Sequence, residues 1–454
     1  MKTLFGTDGV RGVANEYPMT PEMALRLGKA VAFLMAPQRS AGQGGADILI
    51  GKDTRESGGM LESALAAGIA SMGCNAWLTG VLPTPGIAHL VKKRGARAGI
   101  VVSASHNPYH DNGIKLFDHE GYKLSRAWEE EIESLVLTDA HTALAHGIRS
   151  IGSIRPMPDA AGEYIDFILN TSEHKQAGGR LKIVMDCANG AASPVAPVIF
   201  QQWGAEVSKV LSVEPDGRNI NENCGSEHPQ ALIRSVRETG ADIGLAFDGD
   251  ADRLVAVDET GAPVSGDQIL AVCAQAMQQR GRMTSDLVVS TVMSNLGFTA
   301  ALEKMGLRHF AAQVGDRFVM EAMRQHGSVL GGEDSGHLIF LQHHTTGDGI
   351  LAAIQLMEAM VLTGKPLSVL KQVMDIFPQE LVNVTVKHKP PLESIPEIAA
   401  AISAAEKELK GRGRVLVRYS GTQSICRVMV EGPTPSQTSA CCRRIADVIR
   451  QHIG

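Results

Sequence analysis

A surplus of basic charge is missing from this sequence. Its 43 lysines and arginines face 49 aspartates and glutamates, a formal charge of −6. That excludes a broad basic surface for nucleic acid, so any anionic ligand must be held by local charge and backbone amides. Long apolar runs are missing as well. The opening MKTLFGTDGV has one lysine and no signal-type apolar stretch. No segment of about 20 residues is free of charged and polar breaks, which argues against a transmembrane helix. A cytoplasmic protein without a membrane partner is expected. The seven cysteines, Cys74, Cys187, Cys224, Cys273, Cys426, Cys441 and Cys442, show no Cys-x-x-Cys spacing. An odd, scattered set reads as reduced thiols, not as a disulfide frame or zinc site. No Gly-x-x-x-x-Gly-Lys-Ser/Thr occurs, which excludes a P-loop, and the lack of Gly-x-Ser-x-Gly weakens an α/β-hydrolase reading.

What is present is ordinary globular material, 44 % apolar and 20 % charged. That excludes a mainly disordered chain and leaves enough for several cores. At roughly 100–200 residues per domain, the length suggests about three domains. Glycine is in excess, at 48 of 454 residues, where about 7 % is average.

Strand-like and helix-like segments alternate. Ile48–Ile50, Ala76–Leu78 and Ile100–Ser103 read as strands around a helix at Leu61–Met72, and an earlier helix starts with Thr20 as N-cap and Pro21 at N1. The pattern returns with strands Leu181–Met185, Glu206–Leu211 and Ile243–Phe247 and helices Ala191–Trp203 and Pro229–Glu238. It returns again with strands Leu287–Val292 and Phe310–Val314 and helices Phe298–Met305 and Phe318–Gln325. Such alternation predicts parallel sheets with helices on both faces. After about residue 370 strands Glu380–Lys387, Val415–Val417 and Arg427–Val430 combine with helices Ile395–Leu409 and Gln437–His452, an antiparallel α+β pattern. The expected fold class is therefore α/β: three similar mixed α/β sheet domains followed by a smaller α+β C-terminal domain. The expected domains are 1–156, 157–257, 258–372 and 373–454, each with one loop of chemical interest.

Asp248-Gly-Asp-Ala-Asp-Arg253 follows the strand Ile243–Phe247. Carboxylates at i, i+2 and i+4 offer hard oxygen ligands suited to Mg²⁺. The alternatives are a polar turn, a calcium loop and a phosphatase Asp-x-Asp loop. The calcium loop fails because Arg253 stands where its sixth-position glycine is required. Ser103-Ala-Ser-His-Asn-Pro108 follows a strand too, with Lys115 soon after. Ser105 there is either a nucleophile or phosphate carrier, or an N-capping serine before a proline turn. Gly331-Gly-Glu-Asp-Ser-Gly-His337 is suited to a polyhydroxylated ligand, with Glu333 accepting from neighbouring hydroxyls; an acidic turn is the alternative. Arg418-Tyr-Ser-Gly-Thr-Gln-Ser424, with Arg427 on the next strand, forms either a phosphate cradle or an ordinary hairpin turn. Taken together, a metal site, a serine, a hydroxyl-reading loop and a phosphate cradle fit a phosphorylated sugar.

These motifs, with Gly6-Thr-Asp-Gly-Val-Arg-Gly12, occur in order along the whole chain. The sequence resembles the α-D-phosphohexomutase superfamily. Asp111-Asn-Gly-Ile-Lys115, Asn219–Ser226, Val314-Gly-Asp-Arg317 and Thr345–Gly349 resemble its glucosamine branch. The resemblance implies four domains in a heart shape around a central cleft and interconversion of glucosamine 6-phosphate and glucosamine 1-phosphate, on the route to UDP-N-acetylglucosamine. It implies that Ser105 is phosphorylated, primed by a sugar bisphosphate, and that Asp248, Asp250, Asp252 and the Ser105 phosphate hold one Mg²⁺. Arg11, Lys115 and Arg253 would surround the transferring group, with His337 and Lys115 as proton-transfer candidates. Glu333 and Ser335 would read sugar hydroxyls, and Arg418, Ser420, Gly421, Thr422 and Arg427 would hold the unreacting phosphate. The implied partner is a small sugar phosphate, and the chain a monomer or dimer. Two departures stand out. Gln423-Ser424 replaces the family's usual Glu-Pro, and Asp334 stands where the glucosamine branch mostly has Gln or Asn. The rival readings are a phosphomannomutase/phosphoglucomutase of the same superfamily, an aspartyl-phosphate phosphatase and a non-catalytic sugar-phosphate sensor.

Overall fold

The alternating segments build four sheets in a computed structural model that describes residues 4–6, 8–35, 46–138, 150–173, 181–420 and 424–454. The first sheet contains β1 (Val10–Val13), β2 (Asp47–Lys52), β3 (Asn75–Val81), β4 (Ala98–Val102), β5 (Asp111–Asp118) and β6 (Ile154–Pro156), in the order β1-β5-β4-β2-β3-β6. The second contains β7 (Lys182–Asp186), β8 (Glu206–Leu211), β9 (Ile243–Phe247), β10 (Leu254–Asp258) and β11 (Pro263–Val264), in the order β11-β10-β9-β7-β8. The third contains β12 (Leu287–Thr291), β13 (Arg308–Ala312), β14 (Leu330–Gly332) and β15 (Leu338–Phe340), in the order β13-β12-β14-β15. The fourth contains β16 (Gln379–Thr385), β17 (Arg414–Tyr419) and β18 (Ile425–Glu431), antiparallel throughout, in the order β16-β18-β17.

The first three sheets are mixed. β4, β2, β3 and β6 run parallel, as do β9, β7 and β8, and β14, β12 and β13. Each sheet also closes with an antiparallel hairpin: β4–β5, β9–β10 and β14–β15. A purely parallel reading misses these returns because no helix intervenes and polar loop residues break the strand pattern. The four loops of chemical interest are the connections of these three hairpins and of β17–β18.

Local signals account for the other elements. The helix Pro21–Met35 starts where expected, and Thr20 Oγ1 accepts from Met23 N–H at 3.3 Å. The helix expected from Ala191 begins only at Ala196. Pro194 and Pro197 lack amide donors, so turns fill 191–195 and Pro197 sits in the first helical turn. β4 and β9 are buried at every residue, as strands covered on both faces must be. Helices outside the sequence reading include Thr84–Arg94, Arg126–Leu137, Ala160–Asn170, Gly266–Gln279 and Gly349–Thr363. Gly266–Gln279 is opened by a Ser265/Gln268 capping box. Gly349–Thr363 is buried along its first twelve residues, because a helix apolar all round has no solvent face. Among the described residues no single helix is long and apolar enough to cross a membrane.

By contact density the chain divides into two units. One comprises Met1–Met293 and Leu307–Val373, and the other Ser294–Gly306 and Met374–Gly454. The first three sheets thus lie in one unit, apart from the helical stretch Ser294–Gly306. That stretch is fastened within the second unit. Asn295 Nδ2 donates to Phe377 O at 2.9 Å, and Arg414 Nη2 donates to Ser294 O at 2.7 Å. All seven cysteines are buried and none forms a disulfide.

Candidate active site

Ser105 sits in the β4–β5 loop, 1 % exposed, with φ +54°. A non-glycine residue in the left-handed region must be held there by its surroundings. Its N–H donates to Ser103 Oγ at 3.0 Å, and Ser103 Oγ donates to Asp53 Oδ2 at 2.6 Å. Its own Oγ donates to Asp248 Oδ2 at 2.6 Å and lies 3.3 Å from His106 Nδ1. The loop carbonyls point away from that oxygen into the buried guanidinium of Arg55. Arg55 Nη2 donates to Ser105 O at 3.0 Å and to Asn107 O at 2.8 Å, and Nη1 donates to Pro108 O and, at 3.1 Å, to Asp111 O. Asp53 Oδ2 accepts from Arg55 Nε at 2.9 Å and fixes the fork.

The β9–β10 loop brings Asp248, Asp250 and Asp252 to within 4.8 Å of one another, counted between one carboxylate oxygen of each. All three are buried. Thr84 Oγ1 donates to Asp250 Oδ2 at 2.6 Å, while Asp250 Oδ1 has no hydrogen-bond donor among the described residues. Burial, together with the charges of Asp252 and Asp250, pushes the Asp248 carboxyl well above its ordinary range. Buried carboxylate oxygens with an unfilled acceptor and mutual repulsion fit a hard divalent cation such as Mg²⁺.

Cations ring this cluster. Lys115 on β5 is buried, and its Nζ lies 2.8 Å from Asp250 Oδ2, 3.3 Å from Asp252 Oδ2 and 3.3 Å from Asp8 Oδ2. Burial alone would lower its pKa, but Asp250, Asp8 and Asp252 outweigh that and hold the ammonium well above its ordinary range. Lys115 is therefore held as a charged donor in this arrangement. Lys123 joins Asp8 to Asp316 by two ion pairs. His337 lies with Nε2 3.8 Å from Asp316 Oδ2 and Nδ1 3.6 Å from Asp252 Oδ1. Lys115, Asp8, Lys123, Asp316, His337 and Asp252 thus form a closed ring in which basic and acidic side chains alternate. Burial opposes a charge on His337, yet Asp252 and Asp316 raise its pKa above the ordinary value.

Arg11 pairs with Asp8, and its Nη1 reaches Ala104 O at 3.4 Å. Arg253 donates its backbone N–H to Asp248 Oδ1 at 3.2 Å. The Nε atoms of Arg11 and Arg253 are buried without a hydrogen-bond acceptor among the described residues, which leaves donors for an anion. In the β14–β15 loop, Glu333 is half-buried and accepts from Gly315 N–H at 2.9 Å, while Ser335 is exposed. Ser105, Lys115, Arg11, Arg253, His337 and the three aspartates therefore come together in the first unit.

In the second unit Arg418 and Arg427 are cross-strand neighbours on β17 and β18. Arg427 Nε is buried without an acceptor among the described residues. Ser420 is buried, and its carbonyl accepts from Lys389 Nζ at 2.6 Å. Gly421 and Thr422 lie outside the described residues. Sequence reasoning passed over Asp53, Arg55, Thr84, Lys123, Asn221, Asp316 and Lys389. The one signal for Asp316 and Asn221 was that both fall in stretches resembling the glucosamine branch.

Four family models match the chain in order. They are phosphoglucomutase/phosphomannomutase alpha/beta/alpha domain I over residues 2–143, domain II over 162–261, domain III over 265–377 and the C-terminal domain over 381–448. The phosphoglucosamine mutase of Syntrophus aciditrophicus is 54 % identical over 454 residues, covering 100 % of both chains. That of Syntrophobacter fumaroxidans is likewise 54 % identical over 454 residues and 100 % of both chains. The chain belongs to the phosphoglucosamine mutase family of α-D-phosphohexomutases. Solved members of the superfamily share its fold. A phosphoglucomutase/phosphomannomutase family protein from Burkholderia thailandensis is 22 % identical with a TM-score of 0.79, covering 99 % of this chain and 97 % of that one. The Aspergillus fumigatus N-acetylphosphoglucosamine mutase, solved with GlcNAc-6P and magnesium, is 17 % identical with a TM-score of 0.68, covering 99 % and 95 %. The four sheets agree with the four-domain order of the family models.

Proposed function

We propose that this chain interconverts glucosamine 6-phosphate and glucosamine 1-phosphate through phospho-Ser105 and a bisphosphorylated sugar. The observation that carries the mechanism is Ser105 Oγ, held on Asp248 within a buried three-carboxylate cluster and surrounded by Lys115, Arg11 and Arg253. The sugar class rests on the full-length relatives. Asp248, Asp250 and Asp252 are the residues to hold Mg²⁺, which when bound supplies neutralisation of phosphoryl charge.

The phosphoryl group passes from Ser105 Oγ to the free hydroxyl of the sugar phosphate. The P–Oγ bond breaks, a P–O bond to the sugar forms, and the hydroxyl proton ends on Oγ by way of the protein. The sugar then presents its other phosphate, and the reverse transfer returns a phosphoryl group to Oγ and a proton to the departing sugar oxygen. Such transfer depends on positioning and charge neutralisation, which Lys115 and the free Nε donors of Arg11 and Arg253 provide. His337 is the proton carrier of this reading, because its Nδ1 lies 3.6 Å from Asp252 Oδ1 beside the cluster and an imidazole can both accept and donate a proton. Glu333 and Ser335 bind sugar hydroxyls. Arg418, Ser420, Gly421, Thr422 and Arg427 hold the phosphate that is not reacting. A sugar bisphosphate primes Ser105. Seven buried thiols outside any disulfide support a reducing, cytoplasmic setting, and the product feeds UDP-N-acetylglucosamine synthesis.

The test is a coupled assay with Mg²⁺ on glucosamine, mannose and glucose phosphates, with Ser105→Ala as control. Turnover on glucosamine 6-phosphate should exceed the other two and vanish in Ser105→Ala. Preferred turnover of mannose or glucose phosphate would overturn the sugar assignment, and an active Ser105→Ala the phosphoserine.

A further inference from the structure

We propose that Asn221 is a positioning residue whose carboxamide, with the Arg55 guanidinium, clamps the Ser105 loop against the carboxylate loop at the spacing that transfer requires. The inference rests on the reading of Ser105 as phosphoryl carrier.

Asn221 lies between β8 and β9, in the stretch Asn219–Ser226 that the catalytic assignment leaves without a role. It stands at φ +59°, a conformation asparagine tolerates, and its backbone N–H donates to Ala188 O at 2.9 Å. Its Nδ2 donates to Ser105 O at 2.9 Å and to Asn107 O at 3.0 Å. Both amide protons are thereby used. The same nitrogen rests on the next loop: a Cβ built on Gly249 would stand 2.8 Å from it. The amide is therefore wedged between the loop that carries Ser105 and the backbone that carries Asp248 and Asp250.

Arg55 takes the same two carbonyls, adding those of Pro108 and Asp111. Asn221 reaches them from the second sheet's segment and Arg55 from the first. A phosphate on Oγ carries close to two negative charges, and a carbonyl oxygen swung toward it is repelled. Four carbonyls engaged by donors face away instead. The same bonds keep Ser105 at its positive φ, a conformation that is strained when unsupported. Asn221 touches no atom that reacts; it sets where Oγ stands relative to the three aspartates.

Glycine and aspartate are the fair replacements at a positive φ. Asn221→Gly removes the donors. Asn221→Asp keeps the shape and turns a carboxylate on two carbonyls. Each variant is loaded with glucosamine 1,6-bisphosphate, and the phosphorylated fraction is counted by intact mass. Turnover per loaded site should fall about 10- to 100-fold, with the KM for glucosamine 6-phosphate unchanged, as expected for displacement of a reacting group. Asn221→Asp should fall at least as far as Asn221→Gly. Variants that keep the wild-type thermal midpoint but do not load also support the clamp. A merely structural residue lowers the midpoint and the number of loaded sites but not turnover per site, so wild-type turnover per loaded site overturns the proposal. Ser105→Ala runs in parallel. Activity there defeats the phosphoserine reading, whereas an inactive Ser105→Ala beside fully active Asn221 variants defeats the clamp alone.

Discussion

Substituting Gly249 by alanine tests the spacing between the two loops with one methyl group. An added Cβ would stand 2.6 Å from Ser105 O, 2.8 Å from Asn221 Nδ2 and 2.8 Å from Ile220 Cδ1. The isoleucine can rotate aside. The Ser105 carbonyl cannot, because Arg55 and Asn221 hold it. Ordinary contact begins at 3.4 Å, so the serine and carboxylate loops must part by about 0.8 Å, a void-free interior having no slack to absorb the methyl. Overpacking of this size costs about 1–3 kcal/mol of stability. The larger effect is on rate: a displacement of roughly 1 Å between reacting groups lowers turnover on the order of 100-fold. The KM for glucosamine 6-phosphate should stay level, because Glu333, Ser335 and Arg418 lie on other loops. Initial rates in the coupled assay, measured on folded protein, separate the two effects. A double variant with Asn221→Gly sharpens the test. It removes one of the colliding partners, so the combined loss should be less than the product of the single losses. A Gly249→Ala enzyme whose kcat stays within about threefold of wild type would refute the argument that loop spacing limits transfer.

Two further predictions follow from groups remote from the reacting atoms. His344 is buried, with Nε2 2.8 Å from Pro85 O and Nδ1 accepting from Thr345 N–H at 2.7 Å. Both nitrogens are used in the neutral ring, and burial pushes the pKa down to about 3. The unfolded chain binds this proton near pH 6.5, so the stabilisation is complete above that pH and is lost as pH falls toward 3. Between pH 7 and pH 5 the loss is about 2 kcal/mol. Urea unfolding of wild type and His344→Gln at the two pH values should show that difference, and equal pH slopes would refute it. In the second unit, burial and the facing Arg427 lower the pKa of Arg418. Arg418→Ala removes this repulsion, so the thermal midpoint should hold or rise, while loss of a charge-assisted phosphate contact raises the KM about 10- to 100-fold. An unchanged KM with a lower midpoint would make Arg418 structural.

The groups that face the reaction were legible because their chemistry is local. Three aspartates within five positions behind an apolar strand read as a candidate cation site, and a serine beside His106 at a strand end reads as either a nucleophile or an N-cap. The groups that hold them were not, because each meets its partner across a long stretch of chain: Arg55 meets Ser105 50 residues on, Asn221 meets it across 116, Thr84 reaches Asp250 across 166 and Lys123 reaches Asp316 across 193. No local pattern distinguishes such an asparagine from one in a surface turn. The fold divides in the same way. Strands and helices with clear periodicity appear where expected, whereas the hairpin returns β5, β10 and β15 were obscured by the motifs that connect them to their partners. The two omissions have one physical origin. A hairpin places its connecting loop beside the sheet end without an intervening helix, so the loop backbone stays within reach of neighbouring segments. Carbonyls presented there need donors from elsewhere in the chain, and Arg55 and Asn221 are those donors. The long-range contacts of Arg55 and Asn221 are thus a consequence of building the Ser105 loop as a hairpin turn.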